Sequence, residues 1–349
     1  MTHVLLATIF GLVISLLGTP IAVRVFRRRG WGQLIREEGP KAHYEKRGTP
    51  TMGGLVILAG TVAGYLVGHL RFTGDDLFRR FEDSGVLAMG TIAALGLLGF
   101  ADDFIKIRKA RSLGLQKRAK FLGQLVIAVV FGLLAVYVID IGTDLSFFRT
   151  TKIDLGLFFF VWVFIMVAAS SNGVNLTDGL DGLAVGSAAQ VLGAFVVIGF
   201  WQFRHPGFYD LAVQGSDPLD LAMVAAALFG SCAGFLWWNT APAKIFMGDT
   251  GSLMLGGAMA VLAILLNTQL LLVLMGGLYV IETLSVIVQV AIFKRTGRRL
   301  LLMAPIHHHY ELAGWPEFTV IVRFWVLSGL SVAFGLGLFY ADFISKRVF

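Results

Sequence analysis

Ten stretches of the chain are almost unbroken apolar sequence, and the polar residues gather in the segments between them. The runs are Val4 to Phe26, Met52 to Leu70, Val86 to Phe100, Phe121 to Ile139, Leu155 to Ala169, Leu183 to Phe200, Leu221 to Trp238, Leu253 to Leu266, Leu270 to Phe293 and Ile321 to Tyr340. Each approaches the roughly 20 residues that a helix needs to cross about 30 Å of hydrocarbon. Helices are the expected form, because a spanning segment has to satisfy its backbone hydrogen bonds internally. The pattern predicts an all-α, polytopic integral membrane protein with about ten transmembrane helices. Residues 1–349 form one helical membrane domain, and an even number of spans puts both termini on one side.

Composition removes the soluble alternatives. Hydrophobic residues make up 56% of the 349 and charged residues 15%, with a mean hydropathy of +0.77, outside the range of soluble globular domains. The basic residues then orient the chain. Segments after the odd-numbered runs hold nineteen Lys and Arg, among them Arg27, Arg28, Arg29, Arg36, Lys41, Lys46, Arg47, Arg111 and Lys244, whereas the other side holds eight, including Arg71, Lys346 and Arg347. Basic loops resist translocation, so the odd-numbered loops are expected in the cytoplasm and both termini in the periplasm. The first run follows no Lys or Arg and precedes a basic cluster, the reverse of a cleavable signal peptide. The net charge of +7 falls mainly on the face that meets anionic lipid, and no nucleic-acid polymer is expected as a partner. Cys232 is the single cysteine, which excludes an intrachain disulfide.

Once oriented, every patterned polar cluster falls on the cytoplasmic side. Ser170 to Leu183 reads SSNGVNLTDGLDGL and sets Asn172, Asn175, Asp178 and Asp181 in a loop between two apolar runs without a basic neighbour. A charge at mid-bilayer costs about 2.5 to 3.5 kcal/mol, so acids beside spans mark substrate, ion or proton sites. Asn172, Asn175 and Asp178 recur every three residues and would share a face if helical, offering oxygen ligands to a hard cation or a polar edge to a nucleobase; an Asx-rich helix cap is the competing account. Asp102 and Asp103 are adjacent at a helix end, where their side chains diverge by about 100°. They suit two partners or a shared cation, or they simply end a span in the headgroups. Lys106 lies one turn on and can neutralise one of them. Asp249, between Gly248 and Thr250 at the start of a run, is either an N-cap or a Mg²⁺ ligand beside a phosphate, completed by one further oxygen. His307, His308 and His309 follow Pro305; three in a row do not match zinc spacing on a helix, and a loop that binds diphosphate is expected. Phe246 could stack on a base.

Five motifs recur together: GTPTMGG at Gly48 to Gly54, ADDFIK at Ala101 to Lys106, NLTDGLDGLA at Asn175 to Ala184, FMGDTGS at Phe246 to Ser252 and MAPIHHHYE at Met303 to Glu311. In identity, order and side they resemble the polyprenyl-phosphate N-acetylhexosamine-1-phosphate transferases over nearly the whole chain. GTPTMGG and the triple histidine are similar to the phospho-MurNAc-pentapeptide (MraY) type rather than to relatives that use UDP-GlcNAc. The resemblance implies transfer of phospho-MurNAc-pentapeptide from UDP-MurNAc-pentapeptide to undecaprenyl phosphate, giving lipid I and UMP with Mg²⁺, on the cytoplasmic face of the bacterial inner membrane. It further implies that Asp102, Asp103 and Asp249 are the essential acids and that Asp249 binds the metal, with Asn175 as the accompanying oxygen ligand. Lys46, Asn175, Asp178, Asn239, Phe246 and Gln289 become nucleotide-binding residues, with Asn172, Asp181, His307, His308 and His309 on the adjoining substrate surface.

Elementary chemistry is consistent with that assignment. Phosphoryl transfer relies on positioning and charge neutralisation, work for Mg²⁺ and for Lys106, Lys117 and Lys120. The lipid phosphate has a second pKa near 6 and is already nucleophilic at neutral pH. Direct in-line attack, with Asp102 positioning the phosphate or taking its last proton, competes with a covalent phospho-Asp103 route. Two other functions stay open at this level: a transporter, for which Glu282 is the one acid deep in a run, and a sister transferase acting on UDP-GlcNAc. A monomer and a homodimer are equally compatible with the sequence.

Overall fold

The computed structural model describes residues 1–32, 46, 48–70, 78–109, 114–209 and 215–345; Arg36, Lys41, Arg47, Arg71, Arg111, Lys346 and Arg347, counted above for orientation, lie outside them. Its helices are α1 (Thr2–Arg28), α2 (Gly54–Gly68), α3 (Asp83–Arg108), α4 (Lys117–Tyr137), α5 (Phe158–Thr177), α6 (Leu183–Arg204), α7 (Pro206–Tyr209), α8 (Pro218–Asn239), α9 (Gly248–Leu265), α10 (Gln269–Met275), α11 (Gly277–Thr296), α12 (Ile306–Leu312) and α13 (Glu317–Ser345). Between α4 and α5 lies a small antiparallel hairpin, β1 (Asp144–Ser146) and β2 (Thr150–Asp154), which the apolar pattern does not predict.

All ten apolar runs are helical, and two depart from expectation. Nine helices among the described residues, namely α1, α3, α4, α5, α6, α8, α9, α11 and α13, are long and apolar enough to cross a membrane. The second run yields α2, apolar but only 15 residues long, about 22 Å at 1.5 Å per residue. The ninth run, Leu270 to Phe293, is two helices instead of one. Gly276 leaves helical geometry at φ −84°, ψ 20°, ending α10 and starting α11. The Gly276-Gly277 pair carries no side chain into the break, and a Cβ at Gly277 would meet Ser331 of α13 at 2.8 Å. The glycines therefore let α13 pack against the elbow.

α8 and α9 form the core. α8 packs against α1, α2 and α6, while α9 packs against α3 and α5. Association within a bilayer gains little from the hydrophobic effect, so close packing through small residues takes over. Gly230 and Gly234 of α8, four apart, face the backbone of α1 at Thr8 and Leu12, where a Cβ would collide with Thr8 O or Leu12 O. Gly99 of α3 meets the carbonyl of Asp249 at the head of α9 in the same way, and Gly54 of α2 abuts Gly251. These contacts bring the C-terminal end of α3 and the N-terminal ends of α2 and α9 to one place.

Two segments expected as loops are largely helical. α5 runs through Thr177, so Asn172 and Asn175 sit on its last turns and Asp178 closes it, leaving 178–182 as the turn into α6. The histidine block forms α12. In both cases the polar side chains have tertiary partners, which lets the backbone keep its own hydrogen bonds.

Candidate active site

The site is assembled from the junction of α3 and α9. Because Gly99 admits the backbone of Asp249, the next turn of α3 places Asp103 over the first turn of α9. Its Oδ2 accepts hydrogen bonds from Thr250 N at 2.9 Å and Thr250 Oγ1 at 2.8 Å. A carboxylate from one helix thus caps another, satisfying free N–H groups and complementing the positive end of the helix dipole. Asp102, pointing elsewhere around α3, accepts from Leu115 N at 2.7 Å. Carboxylate oxygens of Asp102, Asp103 and Asp249 all lie within 4.8 Å of one another.

Two lysines hold these acids together. Lys106 Nζ stands 2.6 Å from Asp102 Oδ2, 3.3 Å from Asp103 Oδ1 and 3.1 Å from Asp249 Oδ2. Lys120 Nζ, from the first turn of α4, lies 2.7 Å from the same Asp249 oxygen. Three carboxyl groups thus share two lysines. Asn175 Nδ2 donates to Asp249 Oδ1 and to Ser252 Oγ, each at 2.8 Å. The Lys106 ammonium occupies the position that a cation shared by three acids would take. Three hard oxygen donors gathered in a mostly buried spot fit a divalent ion of the Mg²⁺ kind.

The motif at Gly48 to Gly54 is stitched to the same place through backbone. Phe246 N donates to Pro50 O at 2.8 Å, Gly53 N to Phe246 O at 2.9 Å and Gly54 N to Met247 O at 2.9 Å. These bonds fix the segment that delivers Gly248 and Asp249. Gly248 adopts φ +73°, a conformation strained for other residues, and a Cβ there would press on the Asp103 carboxylate.

A model of glycosyl transferase family 4 matches residues 86–267, and a signature of the phospho-N-acetylmuramoyl-pentapeptide-transferases matches residues 46–58. A phospho-N-acetylmuramoyl-pentapeptide-transferase of Frankia casuarinae is 58% identical over 99% of each chain. The chain belongs to this transferase family. Relatives of the same name from Saccharopolyspora erythraea, 52% identical over 99% of this chain and 98% of its own, and Streptomyces coelicolor, 48% identical over 99% and 100%, extend the likeness over the full length. The acids at the α3–α9 junction are therefore those of a membrane-embedded phospho-N-acetylmuramoyl-pentapeptide-transferase family member.

The remaining predicted site residues form a second group beside the first. Lys46 Nζ lies 2.9 Å from Asp181 Oδ1 and 2.6 Å from Glu317 Oε1, Asp181 N donates to the same glutamate oxygen, and Ala243 N donates to Asp181 Oδ2 at 2.9 Å. Burial pulls the Lys46 ammonium down, but the carboxylates of Asp181 and Glu317 outweigh it and leave the group above its ordinary value. Asp178, in the turn between the groups, is held well above the usual carboxylate range by burial and then by the charges of Asp249, Asp103 and Asp181. His307 and His308 press against Gly179, one residue on, while His308 Nδ1 pairs with Glu311 Oε2 at 2.6 Å and His309 Nδ1 accepts from Leu302 N. Phe246 is half-buried.

Other predicted residues are bonded elsewhere. Asn172 donates to Ala168 O and Gln124 Oε1 on the outer side of α5, so it does not share a target with Asn175. Asn239 is buried and donates to Ile245 O, shaping the turn before α9. Gln289 accepts from Leu300 N and Leu301 N and donates to Leu301 O. Sequence reasoning missed Glu317, Ser252 and Thr250. The last two lie inside the FMGDTGS motif and were within reach; Glu317 follows Pro316 at the start of the last apolar run and has no local signal at all.

Proposed function

We propose that the chain transfers phospho-MurNAc-pentapeptide from UDP-MurNAc-pentapeptide to undecaprenyl phosphate, releasing UMP and lipid I, with Mg²⁺ held by Asp102, Asp103 and Asp249. The observation that carries this reading is the meeting of those three acids around the Lys106 ammonium at one end of the bundle. An oxygen of the lipid phosphate attacks the phosphorus attached to the sugar. The bond from that phosphorus to the bridging oxygen breaks, and UMP departs with that oxygen. Bound Mg²⁺ supplies charge neutralisation on the diphosphate. Lys106 and Lys120, beside these acids, would add positive charge where negative charge develops in the transition state.

Direct attack is favoured over a phospho-Asp103 intermediate by hydrogen bonding. Both oxygens of Asp103 are engaged, Oδ2 by Thr250 and Oδ1 by Lys106, which makes that carboxylate a poor nucleophile. Asp102 accepts from Leu115 N through Oδ1 and pairs with Lys106 through Oδ2, and its part in this reading is to position the lipid phosphate beside the metal. Lys46, Asp178 and Asp181 line the path of the uridine and sugar, with Asn175 steadying Asp249. The site faces the cytoplasm across a bacterial inner membrane, the side set by the Lys and Arg count. A transporter is disfavoured because the acids collect at the ends of α3 and α9 rather than at mid-span.

Purified protein in detergent with Mg²⁺, undecaprenyl phosphate and radiolabelled UDP-MurNAc-pentapeptide is expected to yield labelled lipid, and radiolabelled UDP-GlcNAc none. Lipid product from UDP-GlcNAc alone, or none from either, overturns the proposal. UMP release without lipid acceptor would instead establish the covalent route.

A further inference from the structure

Glu282 of α11 and His307 of α12 have side chains with no exposed surface, and Glu282 Oε1 lies 3.1 Å from His307 Nδ1. The two groups meet only through this ion-pair contact, none of their four polar atoms having a hydrogen bond of good geometry among the described residues. The dyad is held rigidly: Ser285 Oγ donates to Glu282 O at 2.6 Å and accepts from Ile306 N at 3.0 Å, pinning the start of α12 to α11. On its far side His307 Nε2 presses against Gly179, so closely that a Cβ there would collide with it. That glycine follows Asp178 in the turn between the two polar groups of the site.

A carboxylate only accepts, so the ring nitrogen facing Glu282 has to carry hydrogen. Nε2 is then the nitrogen turned toward the turn at Asp178 to Asp181. A buried acid of this kind is a poor source of stability, since replacing a buried ion pair by apolar residues is often neutral or stabilising. Its use is orientation, as when a carboxylate fixes the tautomer and direction of a functional imidazole.

We propose that Glu282 is a positioning residue that holds His307 with Nδ1–H toward α11 and Nε2 against Gly179, setting the turn of Asp178 to Asp181 that meets the sugar-diphosphate part of the nucleotide substrate. The proposal rests on the reading of the site as a nucleotide-sugar phosphotransferase. Glu282→Gln keeps an acceptor for Nδ1–H and Glu282→Leu removes it. Lipid-product assays are expected to leave kcat/KM of Glu282→Gln within about threefold of wild type and to lower that of Glu282→Leu by about 10- to 100-fold, the usual cost of removing an orienting group. Glu282→Leu combined with His307→Ala should be no slower than His307→Ala alone. Nitrogen-15 NMR of histidine-labelled protein should show His307 Nδ1 protonated in wild type and Glu282→Gln but not uniformly so in Glu282→Leu. Wild-type turnover by Glu282→Leu, losses that multiply in the double variant, or an unprotonated Nδ1 in wild type overturns the proposal. An inactive wild type would condemn the functional reading instead, while the NMR result would still decide the dyad.

Discussion

Two buried acidic clusters sit at opposite ends of α2 and α3, and they are built on opposite principles. At the end away from the site, Asp220 is fully buried: Tyr65 OH donates to Oδ2 at 3.0 Å, Glu82 N donates to the same oxygen at 3.2 Å, and His69 Nε2 makes an ion-pair contact with Oδ1 at 2.9 Å without hydrogen-bond geometry. Neighbouring Asp217 caps α8 through Asp220 N and pairs with Arg79 at 2.7 Å. At the other end, three carboxylates crowd two lysines within hydrogen-bonding range. The first cluster is one acid with many partners; the second is many acids with too few. A buried acid ringed by partners from several helices holds those helices together, whereas like charges forced together are a standing demand for a ligand.

The contrast is sharpest under substitution. Asp249→Asn, Asp102→Asn and Asp103→Asn are each expected to lower lipid-product formation by about 10³-fold, while thermal unfolding of the purified Asp102→Asn and Asp103→Asn proteins stays at or above the wild-type temperature because a repulsion has been relieved. If those variants unfold early and remain active per folded molecule, the two clusters have the same role. Asp220→Ala should do the reverse. It strands His69 and Tyr65 and costs about 3 to 5 kcal/mol, seen as a lower unfolding midpoint with turnover per folded molecule unchanged.

Lys120→Met tests the charge balance of the inner cluster. Asp249 keeps Lys106 and Asn175, so the expected loss in kcat is smaller, about 10²-fold, and it should vanish when Lys120→Met is added to Asp249→Asn. Additive losses in the pair would place Lys120 outside the cluster's work.

The smallest effect concerns Asp178. Its proton affinity in the folded protein is raised, so between the ordinary carboxylate range and its own higher value the folded state binds more protons than the unfolded one. Stability then falls as pH rises through that window. Asp178→Asn removes the group, and its advantage in unfolding temperature over wild type should grow between about pH 4 and pH 7. A constant difference across that range would mean that Asp178 ionises normally.

Much of this was legible in the chain and part of it could not be. The apolar runs located every long helix, and ADDFIK and FMGDTGS marked the acids that meet, because a charge beside a span has few explanations. Run length could not reveal the break at Gly276, which depends on the approach of Ser331 from α13. Nor could spacing show that Asn172 and Asn175 part company on α5, since their partners, Gln124 and Asp249, come from elsewhere in the chain. Glu317 and the Glu282–His307 pair follow the same rule. A buried acid's meaning lies in its tertiary partner, and no local pattern encodes that partner.

The claim at the centre is that Asp102, Asp103 and Asp249 form one divalent-cation site. Titration of Mn²⁺ into the purified protein, followed by electron paramagnetic resonance of the free ion, tests it most directly. One ion bound per chain, displaced by Mg²⁺ and lost in Asp249→Asn, is the expected result. Equal binding by wild type and all three Asp→Asn variants, or none by wild type, would contradict it.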